Sequence, residues 1–367
     1  MSEIVVSGYY GFGNAGDEAM LTAMIEALTD VDPGAQITVI SGNPADTRRR
    51  HGVAAVYRLN YPEITRILLR SDLLISGGGS LLQDVTSDRS LYYYLSIMLL
   101  AKKLGKPVML YAQGIGPVRG GMARAAMRCV GNMVDLITVR DEGSHEELKS
   151  LGVKVPSIHV TADPVLALHP VDRDIGRVIL RQHGLEGASP LLGISPREWK
   201  DWTHYKEVIA QAADALVEQL GVRIVFLPMQ YPGDSEVSRR IQRRMRQPSV
   251  LLDKEFTTSE MLSIVGNLDM LIGIRLHALI FAAVMHVPMI GISYDPKIDR
   301  FLETLGDNHV GTLESVTTDG MIDKVQTLWS EIRQMNKMRE ERISALRSQA
   351  FSNAELAVAL IEGRRRR

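Results

Sequence analysis

Asp269-Met-Leu-Ile-Gly-Ile-Arg-Leu-His-Ala-Leu279 is the stretch whose reading decides the fold. Its apolar run ends at Gly273, Arg275 and His277 follow, and Ala278 to Met285 then has the pattern of a helix. A short apolar run closed by glycine is the mark of a buried parallel strand. Polar side chains released at its end lie on the carboxyl edge of a sheet, where a helix begins and where open α/β sheets bind ligands. The next apparent strand, in Pro288-Met-Ile-Gly-Ile-Ser-Tyr-Asp-Pro-Lys297, delivers Lys297 in the same way. Two fixed cations and one titratable imidazole suit a small, highly charged anion undergoing proton transfer. By itself the segment favours a plainer alternative, with Arg275 paired to a core carboxylate and His277 a satisfied buried histidine.

Outward from that segment, strand-like runs alternate with helical patterns. Ile4–Ser7, Gln36–Ile40, Val53–Val56, Asp72–Ser76, Pro107–Ala112, Val134–Val139 and Ile158–Val160 read as strands in the first half. The order loosens between His169 and Gly187, then restarts with Leu191–Ser195, Val222–Leu227, Val250–Asp253 and the two strands already named. Repeated strand–loop–helix order implies a parallel sheet covered by helices. The halves echo one another: Asp72-Leu-Leu-Ile resembles Asp269-Met-Leu-Ile, and Lys106-Pro-Val-Met-Leu resembles Val287-Pro-Met-Ile-Gly. The expected class is therefore α/β, with two Rossmann-like domains of parallel sheet facing a cleft. The expected bounds are 1–170 and 188–320, with a helical segment 321–367 packing back on the first domain.

Composition narrows the function. The chain has 367 residues, 45% apolar and 23% charged, and at ~100–200 residues per domain two proper cores are expected. A net charge of -1 argues against a general nucleic-acid binder, which carries a basic excess. The single cysteine, Cys129, leaves no intramolecular disulfide and no multi-cysteine zinc site, and fits a reducing cytosol. Met1-Ser-Glu-Ile runs straight into an apolar strand without a basic leader, so no signal peptide is expected. The longest apolar run, Leu91 to Ala101, falls short of the ~20 residues needed to span a bilayer. Arg239, Arg240, Arg243, Arg244 and Arg246, and the terminal Arg364 to Arg367, offer peripheral contact with an anionic membrane; solvated surface is the alternative for each.

Three loops carry candidate chemistry. Gly11-Phe-Gly13-Asn14-Ala-Gly16 matches G-x-G-x-x-G between a strand and a helix, a pattern that offers backbone N–H groups to phosphate. A dinucleotide reading needs an acid after the second strand; Ser41-Gly42-Asn43 has none, which excludes a dehydrogenase. Asp17 is either an N-cap or a base. Gly77-Gly78-Gly79-Ser80, with Gln83 and Asp84 beyond it, and Gln113-Gly-Ile-Gly-Pro117 are the second and third loops. In the second half Arg197, Gln230, Arg275, His277 and Lys297 all follow strands, an anion site more cationic than chance would give. No paired-histidine spacing points to a metal, and G-x-S-x-G is absent.

Taken in order, Gly8-Tyr-Tyr-Gly-Phe-Gly-Asn-Ala-Gly-Asp-Glu18, Gly77-Gly-Gly-Ser-Leu-Leu-Gln-Asp84, Gln113-Gly-Ile-Gly-Pro117, Arg140-Asp141, Asp163-Pro164, Gly273-Ile-Arg-Leu-His277 and Ser293-Tyr-Asp-Pro-Lys297 resemble the polysaccharide pyruvyl transferases. The nearest resemblance is to members that pyruvylate a bacterial cell-wall polymer as an anchor for S-layer proteins. The resemblance implies a fold like the GT-B glycosyltransferases, with phosphoenolpyruvate as co-substrate and no cofactor. It further implies a lipid-linked acceptor whose N-acetylmannosamine is ketalised across O4 and O6, and hence work in the cytoplasm at the inner face of the membrane. Such a donor carries a phosphate and a carboxylate, which Arg197, Gln230, Arg275 and Lys297 would hold. His277 would supply the proton. Gly11, Gly13, Asn14, Gly78, Gly79, Ser80, Asp84 and Gln113 would face the acceptor, with Asp17 or Asp84 accepting a hydroxyl proton. Two rivals stand beside this reading: a glycosyltransferase using a nucleotide sugar, for which Asp295 or Glu303 would hold the ribose, and a sugar-phosphate binding protein without turnover.

Overall fold

The computed structural model describes the chain apart from residues 85–87, 188, 308, 332–335 and 367. It divides into two compact units. The first holds Met1–Phe12, Asp17–Leu168 and Leu346–Arg367; the second holds Gly13–Gly16 and His169–Ala345.

The first unit is built on strands β1 (Glu3–Ser7), β2 (Gln36–Ser41), β3 (Ala54–Tyr57), β4 (Leu73–Gly77), β5 (Val108–Gln113), β6 (Leu136–Val139) and β7 (Ser157–Val160). They form a seven-stranded sheet in the order β3-β2-β1-β4-β5-β6-β7, and every pairing is parallel. Alternation along each strand divides the core between the two faces. Val5, Ile40 and Leu74 pack with Leu91, Leu95 and Met98 on one side, while Ile4, Val6, Leu73 and Ile75 pack with Leu21, Met24 and Leu28 on the other, as the two-residue period of a strand requires.

The second unit contains β8 (Leu191–Ser195), β9 (Arg223–Phe226), β10 (Ser249–Leu251), β11 (Met270–Gly273) and β12 (Met289–Gly291). Its five-stranded sheet runs β10-β9-β8-β11-β12, again wholly parallel. Both sheets reverse direction after three strands, so each has a switch point: between β1 and β4 in the first unit, between β8 and β11 in the second. Helices leave opposite faces there, and the loops diverge at the carboxyl ends of the strands.

The helical region expected from residue 321 onward is shared out differently. Thr318–Glu331 packs on the helix His204–Leu220 of the second unit. The long helix Asn336–Arg365 is divided between the units: from Leu346 onward it belongs with the first, where Ala354, Ala357 and Ile361 join the face lined by Ile4 and Val6. Asn353, fully buried, accepts a 2.9 Å hydrogen bond from Thr161. The basic tail also has partners. Arg364 donates to Asp135 at 2.8 Å and Arg365 to Asp72 at 2.7 Å, and these carboxylates accept the backbone N–H groups of Val108 and Glu3. Arg364 and Arg365 therefore tie the helix end to the start of the sheet; Arg367 lies outside the described residues. No described helix is long and apolar enough to cross a membrane.

Candidate active site

In the second unit four strand ends converge on one cluster. Arg197 leaves β8, Gln230 follows β9, Arg275 and His277 follow β11, and Tyr294 and Lys297 follow β12. The sequence alone placed these residues after strands; sheet order places β8 beside both β9 and β11.

Arg197 stands out chemically. Its Nη1 donates to the Tyr294 hydroxyl at 2.5 Å, and its guanidinium carbon lies 4.6 Å from the Tyr294 ring centre and 5.8 Å from that of Trp199. Burial pushes its pKa down from the ordinary arginine value, and the Arg275 charge adds to that effect. The neighbouring Glu198 pairs with Lys206 at 2.5 Å and Arg240 at 3.0 Å instead. No carboxylate forms an ion pair with Arg197 among the described residues. A guanidinium held this way is poorly solvated and short of an anion, and its planar fork matches carboxylate or phosphate.

The other two cations already have partners. Arg275 binds Asp234 through two bonds, Nε to Oδ2 at 2.9 Å and Nη2 to Oδ1 at 2.6 Å, and Nη2 also donates to Gln230 Oε1 at 3.0 Å. Asp234, 1% exposed, accepts the N–H groups of Met229 and Gln230 as well. Lys297 Nζ lies 3.3 Å from Asp295 Oδ2, and Asp295 caps the helix Pro296–Leu305 by accepting the Lys297 N–H. The site is therefore less cationic than the sequence implied: three cations share two carboxylates, and Arg197 carries the excess. Asp234 was not singled out from sequence; its only signal was its place after Tyr-Pro-Gly, one turn beyond Gln230.

His277 is the second residue of the helix Leu276–Val284, where the positive end of the helix dipole favours an anion. Its ring lies directly over Gly16. A Cβ built on Gly16 would come 2.1 Å from Nδ1 and 2.5 Å from Cγ.

The expected phosphate loop divides and is largely used up. Gly13–Gly16 groups with the second unit: Ala15 N–H donates to Met229 O at 2.8 Å, and Asn14 bridges Gln230. Gly16 N–H donates to Asn14 Oδ1 at 3.0 Å. Gly11, in the left-handed region at φ 80°, donates its N–H to Glu18 Oε1 at 2.8 Å, and His51 Nε2 contacts the other Glu18 oxygen at 2.8 Å. Three backbone donors that a phosphate cradle would require are thus already satisfied within the protein, by the Met229 carbonyl, the Asn14 side chain and the Glu18 carboxylate.

In the first unit, Gly79 (φ 80°) accepts from Gln113 Nε2 at 2.6 Å and from Gly114 N–H at 2.8 Å. Gln113 is fully buried, so it shapes the Gly78–Gly79 loop from behind. Gly78 N–H donates to Tyr111 O at 3.1 Å. Ser80 accepts from Arg140, which also pairs with Asp163 at 3.1 Å. Asp84 Oδ2 accepts the N–H groups of Arg119 and Gly120 at 2.8 and 2.7 Å. Asp17 lies beside this loop, with Oδ1 3.3 Å from a Cβ built on Gly79, and its charge helps raise the Tyr9 and Tyr10 hydroxyl pKa values after burial. Among the described residues Glu142, His145 and Glu146 have metal-ligand spacing, but they sit on one exposed helix, with His145 Nδ1 3.0 Å from Glu142.

Comparison with known proteins bears on the fold and the family. The polysaccharide pyruvyl transferase family model matches residues 14–296. The chain is 22% identical to the amylovoran biosynthesis protein AmsJ of Erwinia amylovora, over 93% of this chain and 96% of that one. It resembles the UDP-GlcNAc 2-epimerase of Methanocaldococcus jannaschii, with a TM-score of 0.69 at 13% identity over 97% and 99% of the two chains. A glycosyltransferase from Rickettsia africae gives 0.67 at 12% identity over 98% of each. At such identities the structural likeness establishes the fold, the two-domain α/β arrangement of GT-B glycosyltransferases and sugar-nucleotide epimerases. The motif order, the anion-seeking strand ends and the family match over residues 14–296 lead to one assignment: the chain belongs to the polysaccharide pyruvyl transferase family.

Proposed function

We propose that the protein transfers the enolpyruvyl group of phosphoenolpyruvate onto O4 and O6 of an N-acetylmannosamine residue in a lipid-linked cell-wall polysaccharide precursor. The product is the ketal that serves S-layer anchoring, and phosphate is released. The observation that carries the donor is Arg197, a half-buried guanidinium stacked on Tyr294 and short of a carboxylate among the described residues. Arg275, fixed through Nε and Nη2 by Asp234, presents Nη1 from the adjacent strand end. Lys297 stands over the Tyr294 ring at 5.3 Å and steadies the departing phosphate.

His277 protonates the methylene carbon as the first sugar hydroxyl attacks the neighbouring carbon and surrenders its proton, with Asp17 as the accepting base. That proton balances the one His277 gives up. The second hydroxyl then displaces phosphate, and its proton leaves with the phosphate. Acid–base assistance of this kind contributes roughly 10²–10⁴-fold. The acceptor is placed at the Gly78–Ser80 loop. A nucleotide-sugar reading would need a carboxylate for the ribose, and Asp295 is already a helix cap.

The reaction takes place in the cytoplasm, with peripheral contact to anionic lipid. Arg239, Arg240 and Arg244 are paired with Asp253, Glu198 and Glu207, so Arg243 and Arg246 are the exposed residues of that segment left for a membrane. Equal sedimentation with neutral and anionic vesicles would remove the membrane contact. The deciding experiment measures phosphate release from phosphoenolpyruvate with and without an N-acetylmannosamine-bearing acceptor, followed by mass analysis of the sugar. Acceptor-dependent release with a ketal on the sugar supports the assignment. No release with any acceptor, or transfer from a nucleotide sugar, overturns it.

A further inference from the structure

The first unit contains a second cation without a carboxylate. Arg58 follows β3, and its backbone N–H donates to Ser41 O at the end of β2, 2.9 Å away. Its guanidinium carbon lies 4.7 Å from the Tyr93 ring centre and 5.5 Å from that of Phe12. The Tyr93 hydroxyl donates to Arg58 O at 3.0 Å, and burial pushes the Tyr93 pKa up to about 12. Nε of Arg58 is buried without a hydrogen-bond partner, and no carboxylate forms an ion pair with the side chain among the described residues.

Phe12 is itself held firmly. Its ring covers Gly42, where a Cβ would come within 2.5 Å, and Tyr9 stacks flat on it at 4.3 Å and 13°. Tyr9 is 36% exposed, and Tyr57, Leu59 and Tyr61, which flank Arg58, are exposed as well. The ends of β1, β2 and β3 and the helix Asp88–Lys103 thus hold a half-buried arginine, its Nε enclosed, between aromatic rings and beside rings open to solvent. A buried donor left without an acceptor costs free energy that a bound oxygen would recover. This one is short of an acceptor oxygen, and a sugar stacks its C–H face on exposed aromatic rings.

The geometry points to a subsite for a glycosyl phosphate, in which Arg58 binds the phosphate and Tyr9 carries the attached sugar. This rests on the reading above that the acceptor is a sugar carried on a phosphorylated lipid, and it names the part of the protein that recognises the phosphate.

The test is direct binding by the full chain without phosphoenolpyruvate, so that it does not depend on the donor. Calorimetric titrations use octyl N-acetylmannosaminyl diphosphate, the uncharged octyl N-acetylmannosaminide and inorganic phosphate. The diphosphate should bind at least about tenfold more tightly than the uncharged glycoside, the lower end of what a charge-assisted bond supplies. Arg58→Ala and Arg58→Gln should both bring the two probes within about twofold of each other, while Arg58→Lys, which keeps the charge without the planar stack, restores part of the gap. Tyr9→Leu should weaken both probes alike and keep the gap. Equal binding of the two probes by the unmodified protein overturns the subsite, as does a gap that survives in a folded Arg58→Gln variant. So does inorganic phosphate binding as tightly as the diphosphate, which would show a bare anion site. A gap present without phosphate release from phosphoenolpyruvate leaves the subsite standing and removes the donor; normal turnover without a gap removes the subsite alone.

Discussion

Gly16→Ala isolates the placement of His277. Gly16 does not occupy the left-handed region, and it lies in the first turn of the helix Ala15–Val31, so the backbone accepts alanine without strain. Alanine even favours the helix by up to about 1 kcal/mol over glycine. The new methyl group, however, would lie 2.1 Å from Nδ1 of His277 and 2.9 Å from Cε1. Ordinary contact needs about 3.5 Å, so the imidazole must retreat by roughly 1.4 Å. A misplacement of about 1 Å at a reacting group costs on the order of 10²-fold in rate, while overpacking costs about 1–3 kcal/mol of stability, partly offset by the helix gain. Gly16→Ala should therefore fold, bind phosphoenolpyruvate with nearly normal affinity through Arg197, and turn over on the order of 10²-fold more slowly. The assay is steady-state phosphate release at saturating acceptor, with donor affinity measured separately by calorimetry. A double-mutant cycle sharpens the result: if the methyl acts through the imidazole, Gly16→Ala combined with His277→Ala is no slower than His277→Ala alone. Normal turnover in Gly16→Ala, or fully multiplicative losses in the cycle, would refute the reasoning.

Three further outcomes follow from the site and the tail. Arg197→Ala should raise the dissociation constant for phosphoenolpyruvate by about 10–100-fold. Arg197→Lys should recover little of it, since an ammonium group cannot reproduce the fork stacked on Tyr294; unchanged affinity in calorimetry would remove Arg197 from the donor site. Asp234→Ala leaves Arg275, only 12% exposed, without its carboxylate, and should destabilise the fold by about 3–5 kcal/mol in urea unfolding; a loss below about 1 kcal/mol would show that the pair behaves as a solvated one. Removing residues 364–367 should change stability by no more than about 1 kcal/mol for each lost ion pair, because Arg364 and Arg365 are both 45% exposed and their pairs are screened by solvent. High salt should erase that difference, and a large salt-independent loss would show that packing rather than charge holds the helix end.

What the sequence by itself determined is local. Short apolar runs closed by glycine or polar residues marked the central strands of both sheets, because burial on two faces requires near-continuous apolar residues, and the strand–loop–helix order placed the more exposed edge strands β7 and β10. The same runs put Arg197, Gln230, Arg275, His277 and Lys297 at strand ends, and the motif order pointed to the family that the comparison then showed. What tertiary structure decided is non-local. Strand order set β8 against β11, so that Arg197 and Arg275 come from neighbouring strands at the switch point. Asp234 neutralises Arg275 across 41 residues of sequence. Glu18 and Met229 take the backbone N–H groups that the glycine motif seemed to reserve for phosphate. Periodicity is set by near neighbours along the chain, whereas a charge or a backbone donor is satisfied by whichever group the sheet brings beside it.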